Sequence, residues 1–340
     1  MKRFVVFLFA LFFLVTFTSL LFADDATKVK VNGTIQSWFS YAQTNTDTSQ
    51  VGFGLRRVRL RFKSDLGENI KGYVQFEANS PKLLDARIEY YFFPKLKVYL
   101  GRFIGAGMRG AGLTSHTSID LVERPASALL WARKTVGSDY RDYGAEIIGK
   151  SANFTGKLFF HNGGGAKNIK PSQIKEATKQ TAEIAVSAMG TFAPKTVVKG
   201  LEVGGYYGKG NKYFNDYSSY SAYAYYEPKP LRIKAEYISV VNKDAYITES
   251  AVKDLIFSGY YLFGAYRILE NLEALARYEV VDLNTGLSGD EETIITIGAS
   301  YALFPTKWKE AKITPAYVIR REAGNLINNN IFYMMFQIVF

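Results

Sequence analysis

Among 340 residues there is no cysteine. That excludes a disulfide framework, a zinc–thiolate site, an iron–sulfur cluster and a thiol nucleophile. Histidine is nearly as scarce: His116 and His161 are the only two, so a metal site or a Ser-His catalytic pair has little material. Proline occurs nine times. Beyond one N-terminal stretch no apolar run approaches the roughly 20 residues of a membrane-crossing helix, which excludes a multi-helix membrane protein. The mean hydropathy is only −0.06, although 48% of the residues are hydrophobic. No stretch after the N-terminus keeps a helical apolar stripe over 12 or more residues. What is abundant is aromatic: 25 Phe and 24 Tyr give ample surface to bury, and disorder is excluded. The net charge is +11.

The N-terminal stretch reads as an export signal. Lys2 and Arg3 precede the almost wholly apolar Phe4 to Phe22, and Ala23 stands before Asp24 and Asp25. This layout predicts a signal peptide over 1–23, cleaved after Ala23, and one exported domain over 24–340. An uncleaved anchor is the competing reading.

The rest of the chain alternates with period 2. Successive side chains of a strand point to opposite faces. From 57 to 63, Arg57, Arg59, Arg61 and Lys63 share one face and Val58, Leu60 and Phe62 the other. Ile70, Val74, Phe76 and Ala78 oppose Lys71, Tyr73, Gln75 and Glu77, and Ala86, Ile88 and Tyr90 oppose Asp85, Arg87 and Glu89. Farther on, Leu272, Ala274, Ala276 and Tyr278 oppose Glu273, Arg277 and Glu279, and Phe332, Met334, Phe336, Ile338 and Phe340 share a face. The pattern predicts sixteen strands: 29–41, 52–65, 70–79, 84–92, 95–103, 139–149, 153–161, 181–193, 199–207, 218–226, 230–241, 252–268, 271–282, 291–303, 312–321 and 330–340. Alternate connections are mostly short; the others are mostly longer, at 42–51, 104–138, 162–180, 208–217, 242–251, 283–290 and 322–329, with 80–83 a short exception. An even strand number with tight turns at one end describes an all-β, transmembrane antiparallel β-barrel of 16 strands. A sheet in lipid must close on itself to satisfy its backbone hydrogen bonds. A soluble sandwich would show the same periodicity with the apolar face inward; the export signal, the aromatic load and the apolar strand reaching Phe340 favour the barrel.

Against this background a resemblance is visible. Phe53-Gly-Leu-Arg-Arg-Val-Arg-Leu-Arg-Phe, Tyr73-Val-Gln-Phe-Glu, Leu84-Asp-Ala-Arg-Ile-Glu-Tyr, Val98-Tyr-Leu-Gly-Arg-Phe and Ser118-Ile-Asp-Leu-Val-Glu-Arg-Pro resemble the phosphate-selective porin O and P family, over about 52–165. The resemblance implies a 16-stranded outer-membrane porin of a Gram-negative-type bacterium, a homotrimer, with the third loop folded into the lumen as a constriction. It also implies an arginine ladder and basic loops that collect anions. The matching positions are Arg57, Arg59, Arg61, Asp120, Glu123, Arg124 and Arg133.

The residues support a similar expectation on their own chemistry. Guanidinium is always charged and offers a fork of donors suited to oxyanions. Cations two residues apart on a strand lie about 7 Å from one another, so an anion can pass between moderate sites without a single deep trap. The candidate pore-lining, anion-binding residues are Arg57, Arg59, Arg61, Lys63, Arg87, Arg109, Arg124, Arg133 and Lys134. The competing reading is a wall neutralised by Glu77, Asp85 and Glu89. Segment 104–138 is too long for a plain connector and carries Arg109, Arg124, Arg133 and Lys134 against Asp120 and Glu123; it reads as a lumenal constriction or as an extracellular flap. Segment 162–180 carries Lys167, Lys170, Lys175 and Lys179 against Glu176, either an anion-collecting mouth or a solubilising loop. Gly105-Ala-Gly107-Met-Arg-Gly110 matches a dinucleotide fingerprint, but no βαβ unit surrounds it, so a flexible hinge is the better reading. Tyr90, Tyr91, Phe92, Phe93 and Trp308 near short turns suit an interfacial aromatic girdle.

The function expected is a passive porin for small anions such as phosphate, polyphosphate and chloride. Its partners are outer-membrane lipid and two further copies of itself. No nucleic acid, metal, cofactor or catalysis is expected. A general diffusion porin with weak charge selectivity, a plugged structural barrel and an outer-membrane lipase are the rivals.

Overall fold

The computed structural model describes residues 28–44, 49–163, 184–194, 196–212, 215–247, 252–323 and 329–340. The expected signal peptide and most of the basic segment 162–180 lie outside the described residues.

Sixteen strands form one closed antiparallel barrel. They are β1 (Lys28–Gln43), β2 (Ser49–Leu66), β3 (Ile70–Glu77), β4 (Lys82–Phe93), β5 (Leu96–Phe103), β6 (Asp142–Lys150), β7 (Phe154–His161), β8 (Ala185–Phe192), β9 (Leu201–Lys212), β10 (Asn215–Tyr226), β11 (Leu231–Ile247), β12 (Val252–Leu269), β13 (Leu272–Asp282), β14 (Glu291–Ala302), β15 (Ala311–Glu322) and β16 (Ile331–Val339). Each strand pairs with its sequence neighbours, and β1 closes the sheet against β16 from Thr34↔Val339 to Ala42↔Ile331. Beyond the ladder, Gly33 N–H donates to the Phe340 carbonyl at 2.6 Å and Phe340 N–H returns to Gly33 at 3.0 Å. No sheet edge is left open, which removes the unpaired backbone groups that hydrocarbon would not tolerate.

The burial pattern is inverted relative to a soluble sandwich. Leu60, Phe76, Ile88, Leu158, Tyr207, Leu262, Ile297 and Phe336 are exposed. Polar residues on the opposite face of the strands, Arg57, Gln75, Glu89, Glu146, Ser187, Glu236, Glu279 and Gln337, are buried. The apolar face of the sheet is therefore its outside and the polar face its inside, as a lipid-facing barrel requires.

Two expectations about segment boundaries change. The stretches 208–217 and 242–251 were expected as loops, but β9 and β10 pair as far as Asn215↔Lys212 and β11 and β12 as far as Ile247↔Val252. Main-chain pairing continues after the apolar alternation fades, because a ladder in water needs no lipid-facing side chain. Between β5 and β6, segment 104–138 holds a short 3₁₀ turn at His116–Ser118 and helix α1 (Ala126–Lys134). At nine residues α1 is too short to show a sustained stripe in the sequence. Pro125 sits at its N-cap, and Arg133 and Lys134 occupy its last turn, favourable against the helix dipole.

Candidate functional site

Segment 104–138 is fastened to polar side chains on eight strands. On β11, Glu236 accepts the Arg109 and Gly110 backbone N–H groups at 2.6 and 2.7 Å. On β13, Glu279 accepts the Ala126 N–H at 2.6 Å and Arg277 donates to the Glu123 carbonyl at 2.9 Å. Lys312 of β15 donates to the Ile119 carbonyl at 2.9 Å, and Gln337 of β16 to that of Thr117 at 3.2 Å. Gln36 of β1 donates to the His116 carbonyl at 3.0 Å, and the Trp131 indole donates to Ser219 of β10 at 3.1 Å. Arg109 pairs with Glu202 of β9 at 2.7 Å. Paired β2 arginines complete the set.

Those arginines owe their position to an irregularity. Gln36 pairs with Arg57 and Ser37 with Leu55, so Arg56 is the extra residue of a bulge. A bulge re-aims a side chain against strict alternation. Arg56 and Arg57 therefore both reach the Glu123 carboxylate: the Arg56 fork grips both its oxygens, and Arg57 Nη2 lies 3.0 Å from Oε2. Burial raises the Glu123 pKa, but Arg57 and Arg56 outweigh it and hold the group below its ordinary value. Asp120 is treated the same way: burial opposes its charge, while Lys234 at 2.9 Å and Arg232 at 2.5 Å stabilise it. Arg124 donates to the Ala111 and Thr114 carbonyls at 2.8 and 2.6 Å; burial pushes it down to about 9, which leaves it charged at neutral pH.

The glycines of this segment are packed rather than hinged. A Cβ on Gly105 would collide with the Phe159 ring, and one on Gly110 would lie 2.6 Å from the Tyr261 hydroxyl and 2.9 Å from Glu236 Oε2. All three glycines, Gly105, Gly107 and Gly110, are buried. They are small so that the backbone can approach the wall, which corrects the hinge reading.

Between the segment and β2–β4 and β13–β16 lies a cavity of about 790 Å³, closed on one side by Ser138–Arg141. Six of the nine predicted cations line it: Arg57, Arg59, Arg61, Arg87, Arg124 and Arg133. Three do not. Lys63 is exposed beside the Tyr73 ring, Arg109 is tied to Glu202, and Lys134 lies over Phe257. The four-step ladder is therefore not uniform. Arg57 is held by Gln36 and Glu123, Arg59 by Glu77 at 2.9 Å, and Arg87 by Glu89 at 2.6 Å. Asp85 faces Arg141 at 2.8 Å and Arg87 at 3.9 Å. Neutralisation is incomplete all the same: eleven Arg or Lys side chains line the cavity against six Asp or Glu, an excess of five positive charges.

Sequence reasoning missed Arg56, Arg141, Arg232, Lys234 and Glu236. Arg56 falls on the wrong face of a strict alternation. The others carry the alternating polar signal but nothing local that names their partners in segment 104–138 or beside it.

His161 ends β7, and it stands between two partners. Its Nδ1 is 2.9 Å from Asp142 Oδ2 and its Nε2 is 3.0 Å from Ser187 Oγ. No local pattern around these three residues announces the Ser-His-Asp row. All three side chains are almost wholly buried, the imidazole stacks on Phe159 at 4.4 Å, and none lines the cavity. With no room for a substrate at Ser187 Oγ, the row satisfies buried polar groups of the wall. Among the described residues there is no cluster of three His, Asp or Glu able to hold a metal ion. Of the expected girdle, Phe92 and Phe93 are exposed, whereas Tyr91 turns to the polar face and donates to Glu89 at 2.8 Å. Trp308 stacks under Arg267 at 4.1 Å.

A family described as Gram-negative porin matches residues 10–309. No curated protein sequence matches the chain. Among solved structures, the anion-selective porin of Comamonas acidovorans is similar with a TM-score of 0.70 at 13% identity, covering 93% of this chain and 100% of its own. The in-vitro folded trimer form of OmpT from Vibrio cholerae gives 0.58 at 14%, covering 93% and 100%. The outer-membrane channel DcaP of Acinetobacter baumannii gives 0.64 at 12%, covering 93% and 98%.

Proposed function

The chain belongs to the Gram-negative porin family of the outer membrane, and on that premise we propose that it is a passive, anion-selective channel favouring phosphate or polyphosphate. The observation that carries this reading is the excess of five positive charges around the cavity. A charged, water-filled constriction raises the local concentration of counter-ions and rejects co-ions. Segment 104–138 is taken as a fold of chain across the lumen, since its anchors come from strands all round the barrel. The cavity is then the passage that remains beside it, and Arg57, Arg59, Arg61, Arg87, Arg124 and Arg133 are its pore-lining cations. Lys63, Arg109 and Lys134, away from the cavity, act on anions only through their longer-range field. The homotrimer is part of the same proposal, supported by the trimer form of a structural neighbour, as is cleavage after Ala23.

The finer preference for phosphate rests on the arginine-rich β2 motif and on the fit of guanidinium forks to oxyanions. A second reading, a general diffusion porin with weak charge selectivity, is favoured by the ion pairs that occupy Arg57, Arg59 and Arg87.

The test is the reversal potential of the purified porin in a planar bilayer across a potassium chloride gradient, with Arg57, Arg59 and Arg61 changed together to Ala. The wild type is expected to select anions strongly. The variant loses three cations and frees Glu77, with Glu123 left to Arg56 alone, so its potential should fall to near zero or reverse. A weak wild-type potential unmoved by the triple change would establish the general porin instead.

A further inference from the structure

The cavity wall contains a cluster of donors that the ion pairs leave unused. Arg61 Nε, Gln75 Nε2 and His116 Nε2 are buried and have no hydrogen-bond partner among the described residues. Gln75 and His116 are 3% and 5% exposed, and all three residues line the cavity. Buried polar atoms without partners are few in folded proteins, and each calls for a reason.

The surroundings fix which way these groups present themselves. Gln75 accepts the Tyr73 hydroxyl at 2.8 Å through its carbonyl oxygen, so its amide nitrogen is the free end. Arg61 and Gln75 are direct cross-strand partners on β2 and β3. Arg61 spends Nη2 on Thr34 Oγ1 at 3.0 Å and keeps Nε. His116 is held through its carbonyl by Gln36 at 3.0 Å. Burial and the fields of Arg59 and Arg61 hold its imidazole neutral, and neutral imidazole with its proton on Nε2 is a donor. The nearby acceptors are already engaged: Glu77 with Arg59 and the Val58 N–H, Asp85 with Arg141.

We infer that Arg61, Gln75 and His116 form a discrete seat for a tetrahedral dianion of the sulfate or hydrogen phosphate type. The unpaired atoms of the cluster are donors and the carboxylates beside them are engaged, so the fitting ligand carries several acceptor oxygens. Sulfate has no proton to place. Hydrogen phosphate has one hydroxyl, which needs an acceptor the cluster does not offer. A halide can accept several hydrogen bonds, but only at one point; a tetrahedral oxyanion offers a separate oxygen to each donor on the two strands and the loop. This rests on the anion-channel reading and deepens it: the oxyanion pauses at one seat, while Arg57 and Arg59 are largely spent on Glu123 and Glu77.

The experiment is block of the chloride current of the reconstituted full porin by sulfate, and separately by phosphate above and below its second ionisation. Current through the wild type should fall with added sulfate, and phosphate should act mainly in its dianionic form. Gln75→Glu keeps the Tyr73 contact but faces the ligand with a carboxylate, and His116→Phe removes a donor at similar size. Each lost donor to a charged ligand should raise the half-blocking concentration about tenfold. The chloride current itself reports that a variant has folded; if Gln75→Glu yields no channel, His116→Phe, outside the barrel wall, decides. Equal block in wild type and variants overturns the seat, as does an anion-selective wild type that sulfate and phosphate do not block. A wild type without anion selectivity overturns the channel reading itself.

Discussion

Glu236→Ala offers a direct measure of what holds segment 104–138 in place. Every partner of this carboxylate donates to it: Arg109 N–H to Oε1 at 2.6 Å, Gly110 N–H to Oε2 at 2.7 Å and the Tyr261 hydroxyl to Oε2 at 3.2 Å. A buried hydrogen bond to a charged group is worth about 1.5–3 kcal/mol, so the two backbone bonds together contribute roughly 3–6 kcal/mol to seating Arg109 and Gly110. Their loss leaves two N–H groups with no acceptor, and only glycine at 110 permits so close an approach. Arg109 keeps Glu202 and Thr114, so the stretch loosens without detaching. A few kcal/mol is a factor of about a hundred or more in the population of the released state. The wild-type channel should show steady single-channel current, and Glu236→Ala should flicker between two levels. Trypsin should cleave the reconstituted variant after Arg109 where it spares the wild type. Glu236→Gln retains one acceptor oxygen and should fall between them. Steady current and full protease resistance in Glu236→Ala would refute the account of how this segment is held.

Acidification probes the other anchors. Asp120 and Glu123 are held below their ordinary values of 3.8 and 4.5, so their contribution is complete above those values and is lost only as pH falls through the lower, folded ones. Read in the Glu236→Gln variant, where that anchor cannot titrate, the current should keep its neutral-pH noise level into mild acid and become noisier only below the ordinary carboxylate range; added noise that begins above it would contradict the Asp120 and Glu123 anchors. For the Ser-His-Asp row, Ser187→Ala should lower barrel stability by about 1–2 kcal/mol, read as a lower unfolding temperature in detergent, because His161 Nε2 loses its partner. Ester hydrolysis by the wild type that disappears in Ser187→Ala would overturn the packing role.

The barrel was legible because its information is local. Arg57, Val58, Arg59, Leu60 and Arg61 reveal two faces without reference to any other part of the chain, and the same holds for β3, β4, β13 and β16. The interior was not legible, because its contacts are remote. Glu236 meets Arg109 and Gly110 across 127 and 126 residues, and Lys312 meets Ile119 across 193. Nothing in the spelling around either partner announces the other. Helix α1 was missed because nine residues give too few turns to establish a period. Arg56 was missed because a bulge breaks the rule on which the reading of β2 depended. The cations on the polar face were visible individually, and so were Glu77 and Glu89, which pair with Arg59 and Arg87; the pairing of Arg56 and Arg57 was not, because it depends on Glu123, a residue of another segment.

The seam between β1 and β16 sets an order on biogenesis. Gln36 and Gln337 touch at 2.6 Å although 301 residues separate them. Until β16 has been made, β1 has one edge with no partner, and hydrocarbon offers that edge nothing to bond to. The growing chain thus has no stable way to enter lipid strand by strand from its N-terminal end. It must travel to the membrane as a whole and be kept from aggregating on the way, and zippering the two distant ends together is the step that commits it to the bilayer.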